Sequence, residues 1–189
     1  MTVKVLGLSG SVARPSRTTS LIRRILAAVE AKTAISAGLI ELAEDAPNLF
    51  LALTRGQLQG RAAQVVQAVE EADLLVVGTP VYRASYTGAL KHLFDLVDHE
   101  ALAGKPVLLA ATGGTPLHGL VTEHQLRPLL GFFNALTLPT AVYATEADFS
   151  DYQLVNPKII ARIERAAAEA AAQLRLRRSL PAALRAVAD

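Results

Sequence analysis

The 189-residue sequence contains no cysteine, and only 5% of its residues are aromatic and 19% are charged. The absence of cysteine excludes disulfide bonds, thiolate-ligated zinc or iron–sulfur sites and thiol catalysis. The 19 Lys and Arg residues exceed the 17 Asp and Glu residues by two, too small a net charge for a nucleic-acid binder that relies on bulk electrostatics. No apolar run approaches the ~20 residues that span a bilayer, and the amino-terminal pattern is not that of a signal peptide. We therefore expect a cytoplasmic protein with no nucleic-acid or membrane partner.

Hydrophobic residues make up 51% of the chain, which suits one compact domain of ordinary size. No internal repeat and no linker rich in Ser, Gly or Pro divides the sequence, so we predict a single domain over residues 1–178. The remaining residues, 179–189, continue a basic, alanine-rich segment that Pro181 interrupts. We expect this tail to be flexible and solvated, and a partner-binding arm is the alternative.

Short apolar runs alternate with segments of helical periodicity along the chain. Three nearly continuous apolar runs and two weaker ones are strand candidates, at residues 3–8, 74–77, 107–111, 33–42 and 138–144. The predicted helices lie between and after them, at residues 18–31, 61–71, 88–97, 119–133 and 157–176. Residues 43–60 are expected to be a long connection. The alternation predicts an open α/β sheet of five parallel strands with helices on both faces.

The loop after the first predicted strand, residues 7–21, has the composition of a phosphate site. Between Ser11 and Ser20 it contains five hydroxyl residues and two arginines: Ser11, Ser16, Thr18, Thr19, Ser20, Arg14 and Arg17. Because a helix N-terminus presents unpaired N–H groups and a partial positive charge, hydroxyl and guanidinium groups gathered there can hold a phosphate. The loop contains neither a Walker A motif nor a GxGxxG fingerprint. The alternative is structural: Ser16 or Thr18 caps the helix and the arginines are solvated.

Two further loops follow strands at the same edge of the predicted sheet. Pro80 ends the third strand, and two interpretations of the turn after it are open: the N–H groups of Val81 and Tyr82 face the edge of a planar heterocycle, or the turn is a tight loop with Tyr82 and Tyr86 half-buried. The fourth strand ends at Gly113 and Gly114, which allow the backbone to approach a flat ligand closely and also permit a positive φ. In the strand order 2-1-3-4-5 the three loops converge where a mononucleotide fits. The candidate ligand is FMN.

The four histidines belong to no catalytic motif. The sequence contains no HExxH and no GxSxG, and it has no cysteine nucleophile. We therefore expect neither hydrolase chemistry nor a metal site.

Three blocks of the sequence carry a resemblance to a known family: GSVARPSRTTSL, TPVYRASYTGALKHLFDL and ATGGTPLHGLVTEHQLRPLL. With them the chain resembles, over residues 3–178, the NAD(P)H-dependent FMN reductases of the flavodoxin-like superfamily. The resemblance is closest to the reductase components of two-component alkanesulfonate and methanesulfonate monooxygenase systems. It implies a doubly wound flavodoxin-like fold and hydride transfer from NADH or NADPH to FMN, with reduced FMN passed to a partner monooxygenase. The alternatives are an FMN-retaining reductase of quinones, azo dyes or metal oxyanions, and a flavodoxin-type electron carrier.

The resemblance also implies roles for single residues. The FMN phosphate would be held by Ser11, Ser16, Arg17, Thr18 and Thr19. The isoalloxazine would be lined by Pro80, Val81 and Tyr82 on one side and by Thr112, Gly113 and Gly114 on the other. Where many relatives carry an arginine this chain has Ala13, so either Arg14 or Arg17 supplies the cationic contact. Hydride transfer between stacked rings requires no obligatory catalytic side chain.

Two expectations concern assembly and the fourth predicted helix. Related reductases are dimers of dimers, so the resemblance implies a homotetramer, with a dimer as the alternative, and the apolar segment 85–97 is the predicted interface. His124 stands where the closest relatives have one extra residue, which an α-helix accommodates as a π-bulge. Pro128 weakens the helix further. The bulge is expected to loosen FMN so that it behaves as a substrate, and the alternative is an ordinary helix with a surface histidine.

Overall fold

Parallel strands form the centre of the structure, a computed structural model in which residues 3–179 are described. The sheet contains six strands: β1 (Val3–Ser9), β2 (Ile35–Glu41), β3 (Leu74–Pro80), β4 (Pro106–Gly113), β5 (Leu136–Thr137) and β6 (Val142–Thr145). Their order is β2-β1-β3-β4-β5, with β6 also paired to β4, and every pair is parallel. The predicted order 2-1-3-4-5 is therefore confirmed.

The fifth position in the sheet differs from the prediction of one strand over residues 138–144. Two short strands, β5 and β6, occupy it instead and pair with opposite ends of β4. Pro139 lies between them and has no N–H to donate to a ladder. The chain therefore leaves the sheet after Thr137 and returns at Val142.

Within residues 3–179, six α-helices cover the two faces of the sheet: α1 (Arg17–Glu30), α2 (Leu42–Leu49), α3 (Gly60–Glu71), α4 (Gly88–Leu96), α5 (Arg127–Phe132) and α6 (Pro157–Ser179). Helices α1 and α6 pack on one face, and α2, α3, α4 and α5 pack on the other. Neighbouring residues of β3 point to opposite faces, so that Leu74 and Val76 contact one set of helices while Leu75 and Val77 contact the other. All four side chains are fully buried, which explains the continuous apolar runs of the central strands.

Helix α2 includes residues 43–49 of the segment 43–60, where a long connection was expected, and for these residues that prediction was wrong. Its buried residues Leu42, Ala46 and Leu49 recur at helical spacing and pack into the core. Glu44 lies in the first turn, where a negative charge is favourable. The periodicity alone did not predict a helix here, because Pro47 lies within it and proline is unfavourable inside a helix. A short 3₁₀ turn at Arg55–Gln57 then leads towards α3.

The apolar surface predicted on segment 85–97 for a subunit contact is absent from this structure. Leu90, Leu93, Phe94 and Val97 are all buried within the core of the single chain. Among residues 3–179, the most exposed large apolar side chains lie elsewhere, at Leu51 and Leu53 after α2 and at Leu117, Leu120 and Phe132 between β4 and the end of α5. The prediction that segment 85–97 exposes apolar surface for a subunit interface was therefore wrong.

The carboxyl-terminal helix is longer than predicted. Helix α6 ends at Ser179, so the predicted domain end at 178 lies inside it. The rest of the predicted tail, residues 180–189, lies outside the described residues. Between residues 3 and 179, no helix has both the length and the apolar character needed to cross a membrane.

Candidate functional site

An open groove of about 240 Å³ runs along the carboxyl edge of the sheet, where β1, β3, β4 and β6 end. It is lined by Ser11, Ala13, Pro15, Ser16, Arg17, Thr18, Pro80, Val81, Tyr82, Thr112, Gly113, Gly114, Glu146 and Tyr152. These include every predicted FMN-binding residue except Arg14 and Thr19. Open α/β sheets bind ligands at this edge, where the direction of the crossovers reverses between β1 and β3.

Volume alone does not single out the groove. Two cavities that are more apolar than the groove are also larger. One of about 550 Å³ lies between α4 and α5, and one of about 410 Å³ lies between α2 and the start of α4. Only the groove combines hydroxyl groups, a helix N-terminus and an arginine, among the cavities described for residues 3–179. We therefore place the candidate site in the groove.

One end of the groove, formed by Ser11, Ser16, Arg17 and Glu146, is its charged end. Ser16 caps α1, and its hydroxyl accepts a hydrogen bond of 3.2 Å from the N–H of Thr19. The N–H groups of Arg17 and Thr18 belong to the first turn and have no intrahelical acceptor. These groups and the helix dipole favour an anion at this end.

Arg17 is the arginine that lines the groove. Its guanidinium donates to the carboxylate of Glu146, and its Cζ lies 5.2 Å from the centroid of the Tyr152 ring. The contact with the ring is within the range of a cation–π interaction. Arg17 is therefore held over the charged end from two sides.

Arg14 and Thr19 lie away from the groove. Arg14 donates from Nε to Glu41 at 3.1 Å and also pairs with Glu44, and the hydrogen bond to Glu41 raises the pKa of its guanidinium. The hydroxyl of Thr19 is buried and shares a hydrogen bond of 2.8 Å with that of Ser9. The structure thus places Arg17, and not Arg14, where an anion would bind.

The other end of the groove, formed by Pro80, Val81, Tyr82, Thr112, Gly113 and Gly114, is its ring end, named for the flat ligand expected there. The N–H of Val81 donates to the carbonyl of Thr112 at 2.8 Å, and that of Tyr82 donates to the carbonyl of Ser85 at 2.8 Å. The interpretation that these N–H groups face a heterocycle is therefore wrong, since both are engaged within the protein. The N–H of Val81 extends the pairing of β3 with β4, and that of Tyr82 closes a tight turn to Ser85 whose central residues, Arg83 and Ala84, both have positive φ.

The two glycines that end β4 have different surroundings, and neither has a positive φ. A Cβ added at Gly113 would lie 2.2 Å from Oη of Tyr143, whose hydroxyl donates to the carbonyl of Thr115 at 2.6 Å. A Cβ added at Gly114 would meet no protein atom within 4 Å. Gly113 is therefore required by packing within the protein, whereas Gly114 borders open space in the groove.

A buried hydrogen bond joins the two ends of the groove. The hydroxyls of Thr18, in the first turn of α1, and Thr112, at the end of β4, are 2.6 Å apart and almost inaccessible to solvent. The hydroxyl of Thr18 is therefore engaged by Thr112, and its N–H group is what remains for an anion.

Sequence analysis did not identify Glu146 and Tyr152 in the groove. Both belong to a segment after β6 that contains a 3₁₀ turn, Glu146–Asp148, and a hairpin of β7 (Phe149–Ser150) and β8 (Gln153–Leu154). The sequence contains a signal for both residues, because polar residues that follow the last strand of such a sheet lie at the ligand-binding edge.

Asp148 holds this segment together. Its carboxylate accepts hydrogen bonds from the N–H and hydroxyl of Thr145, at 2.6 and 2.9 Å, and from the side chain of Asn156. Burial alone would raise the pKa of Asp148, but these hydrogen bonds outweigh burial and lower it. Asp148 thus fixes the backbone that presents Glu146 and Tyr152 to the groove.

A π-helix, Thr122–Leu126, precedes α5 at the position that the resemblance implied. The N–H of Arg127 donates to the carbonyl of Thr122, five residues earlier, and His124 is exposed. The side chain of Gln125 accepts a hydrogen bond of 3.1 Å from the hydroxyl of Ser85. This bond connects the π-helix to the turn that borders the ring end.

Comparison with known proteins gives consistent results. Residues 3–149 match the model of a family described as NADPH-dependent FMN reductase. The NADH-dependent FMN reductase SfnF of Pseudomonas fluorescens (strain Pf0-1) is 55% identical over 172 residues, which cover 91% of each chain. An oxidoreductase of Corynebacterium diphtheriae superposes with a TM-score of 0.84 at 36% identity, covering 93% of this chain and 98% of that one. An archaeal flavodoxin, with a TM-score of 0.60 at 9% identity, covering 92% and 99%, shares the fold alone.

Proposed function

The chain belongs to the NADPH-dependent FMN reductase family and is an NAD(P)H:FMN oxidoreductase, and from this premise we propose that it supplies reduced FMN to a partner monooxygenase. In this proposal FMN is a substrate that binds, is reduced by NADH or NADPH and leaves. The partner is a flavin-dependent sulfonate monooxygenase, and both proteins work in the cytoplasm. The single observation that carries the assignment of the site is the groove itself, with an anion seat at one end and closely packed backbone at the other.

The residues of the groove fit FMN. At the charged end, the first-turn N–H groups of α1, the hydroxyl of Ser16 and the guanidinium of Arg17 are suitable donors for a phosphate. The hydroxyl of Ser11 donates to the carbonyl of Ala13 at 3.2 Å, and it reaches a phosphate only by rotating away from that acceptor. At the ring end, the groove is lined by Pro80 and by Gly114, beside which a Cβ would meet no protein atom within 4 Å, so space remains there for a ring to lie against the backbone. When bound, FMN supplies an isoalloxazine that accepts a hydride from reduced nicotinamide. The protein's part is to orient the reactants, because that transfer needs no side-chain acid or base.

We further propose that the π-helix keeps FMN exchangeable through its contact with the ring end. The hydrogen bond between Ser85 and Gln125 supports this proposal, because it links the irregular helix to the turn that carries Tyr82. Deletion of His124 should restore regular helical geometry, so that the protein retains FMN on purification and loses turnover with free flavin. Unchanged flavin content and unchanged activity would contradict this role.

Self-association as a homotetramer, with a dimer as the alternative, remains part of the proposal. Exposed apolar side chains before the π-helix and in α5 support self-association, since Leu120 and Phe132 are 62% and 71% exposed. Sedimentation at micromolar concentration should show a tetramer or dimer, and a monomer would contradict the proposal.

One assay separates the proposed function from its alternatives. The purified protein is inspected for bound flavin, and NADH and NADPH oxidation is followed with and without added FMN. Oxidation that depends on added FMN is the expected result. Tightly retained flavin with activity only towards a quinone, an azo dye or a metal oxyanion would favour the FMN-retaining reductase. Retained flavin with no reaction towards either nucleotide would favour an electron carrier.

A further inference from the structure

Glu146 places a negative charge inside the groove, at the end suited to an anion. Its carboxylate accepts a hydrogen bond from Arg17, the arginine that lines the groove. Glu146 is 67% exposed, so burial does not require it to be paired. A carboxylate at this position opposes the binding of a second anion in two ways, since it occupies a donor of Arg17 and it repels like charge.

The position of Glu146 is fixed by its surroundings. Thr145 and Asp148 form reciprocal hydrogen bonds on either side of it, and the N–H of Val155 donates to the carbonyl of Asp148 at 2.9 Å. The carboxylate is therefore presented to Arg17 by an ordered turn and not by a freely moving terminus. Tyr152, from the same segment, confines the guanidinium on a second side.

We propose that Glu146 determines the affinity of the groove for FMN by competing with the flavin phosphate for Arg17. The proposal rests on the proposed function, in which the phosphate binds at the charged end. An arriving phosphate must share Arg17 with Glu146 or displace the carboxylate into solvent. Either event weakens the seat for the phosphate and leaves the contacts of the isoalloxazine unchanged. Glu146 is thus an affinity-determining residue that favours release of FMN after reduction.

If Glu146 assisted FMN binding instead of opposing it, removing its charge would change the FMN affinity in the opposite direction. If Glu146 served to hold Arg17 ready for the phosphate, its removal would leave the guanidinium less ordered and would weaken FMN binding. The two roles are therefore distinguished by the direction of one measured change.

The test compares Glu146→Gln with the parent protein by titrating FMN and riboflavin through their fluorescence, and by measuring KM for FMN. Glutamine keeps the size of the side chain and removes its charge. Because an exposed ion pair contributes up to about 1 kcal/mol, the Kd and KM for FMN should fall by about fivefold. The Kd of riboflavin, which has no phosphate, should not change.

Glu44→Gln is the matched control. Glu44 is also an exposed carboxylate, and it pairs with Arg14 of the same loop but does not line the groove. This variant removes the same charge nearby and should leave both affinities unchanged.

Three results would overturn the inference: unchanged or weaker FMN binding in Glu146→Gln, equal tightening of riboflavin, or the same tightening in Glu44→Gln. The parent protein separates this failure from failure of the proposed function. If the parent neither binds FMN nor oxidises NADH or NADPH in its presence, the proposed function fails and the inference fails with it. If the parent does both and Glu146→Gln shows any of the three results, only the inference fails.

Discussion

The two ends of the groove recognise ligands by different means. The charged end consists of side chains such as Arg17 and Glu146, which contact one another and the solvent and contribute little to the packing of the core. The ring end consists of backbone from β3 and β4 packed against Tyr143, and it belongs to the sheet itself. A change at the charged end should therefore alter the binding of phosphate alone, whereas a change at the ring end should affect every flavin and the fold as well.

The largest expected effect is at the charged end, in the double variant Ser16→Ala, Arg17→Ala. Charge-assisted hydrogen bonds contribute roughly 1.5 to 3 kcal/mol each, so FMN binding should weaken by about 3 to 6 kcal/mol. Riboflavin binding should scarcely change. Fluorescence titration with both flavins measures the difference, and Arg17→Ala alone is the control, because Ser16 also caps α1. Equal losses for the two flavins would show that the loop is only structural.

Gly113→Ala should have the next largest effect, and on both flavins. The new methyl group would force Tyr143 from its hydrogen bond with Thr115, and overpacking of this kind costs about 1 to 3 kcal/mol of unfolding free energy. Gly114→Ala is the matched control, because its Cβ meets no protein atom, so it should weaken flavin binding without lowering the melting temperature. Equal melting temperatures of the two variants would contradict the distinction.

Asp148→Asn should have a moderate effect on stability that depends on pH. The pKa of Asp148 is lowered in the folded state, so its carboxylate stabilises the protein above the ordinary pKa of an aspartate and loses this effect as the pH falls through the folded value. At neutral pH the variant should lose roughly 1 to 3 kcal/mol. Denaturant titrations should show the difference from the parent narrowing below about pH 4. A difference independent of pH would exclude the charge as its cause.

The smallest effect is expected for Arg14→Ala. Glu41 keeps a second partner, since Arg23 donates to it at 2.6 Å, and an exposed ion pair such as that of Arg14 contributes little to stability. Affinities for FMN and riboflavin should both stay within about twofold of the parent. A loss confined to FMN would place Arg14, and not Arg17, at the phosphate.

The features predictable from the sequence are those that depend on local pattern. The central strands are buried on both faces, so Leu74 and its neighbours form a continuous apolar run that identifies them. Helix α2 was missed because Pro47 obscured the helical spacing of its apolar residues, and there the tertiary contacts of those residues, and not local propensity, determine the structure. The break in the fifth strand is different, because Pro139 is itself a local signal for it that the prediction of one strand over residues 138–144 did not use.

The charged end shows why part of the site could not be predicted. Arg14 and Arg17 are three residues apart and have the same local composition. Their positions are decided by partners 27 and 129 residues away, Glu41 and Glu146, which no local pattern connects to them. The N–H groups of Val81 and Tyr82 are a similar case, because their acceptors, the carbonyls of Thr112 and Ser85, are supplied by the neighbouring strand β4 and by the turn that follows.

The hydrogen bond between Thr18 and Thr112 also limits how the groove can change shape. It fastens the start of α1 to the end of β4, so the walls contributed by β1, β3 and β4 form one body with the sheet. The remaining wall is the turn and hairpin beside Arg17, where β7 and β8 pair with each other and Phe149 and Leu154 pack against the core beside α1. A ligand that enters the charged end therefore meets a preformed backbone on every side, and the exposed side chains of Arg17 and Glu146 are the parts that can rearrange without disturbing the core.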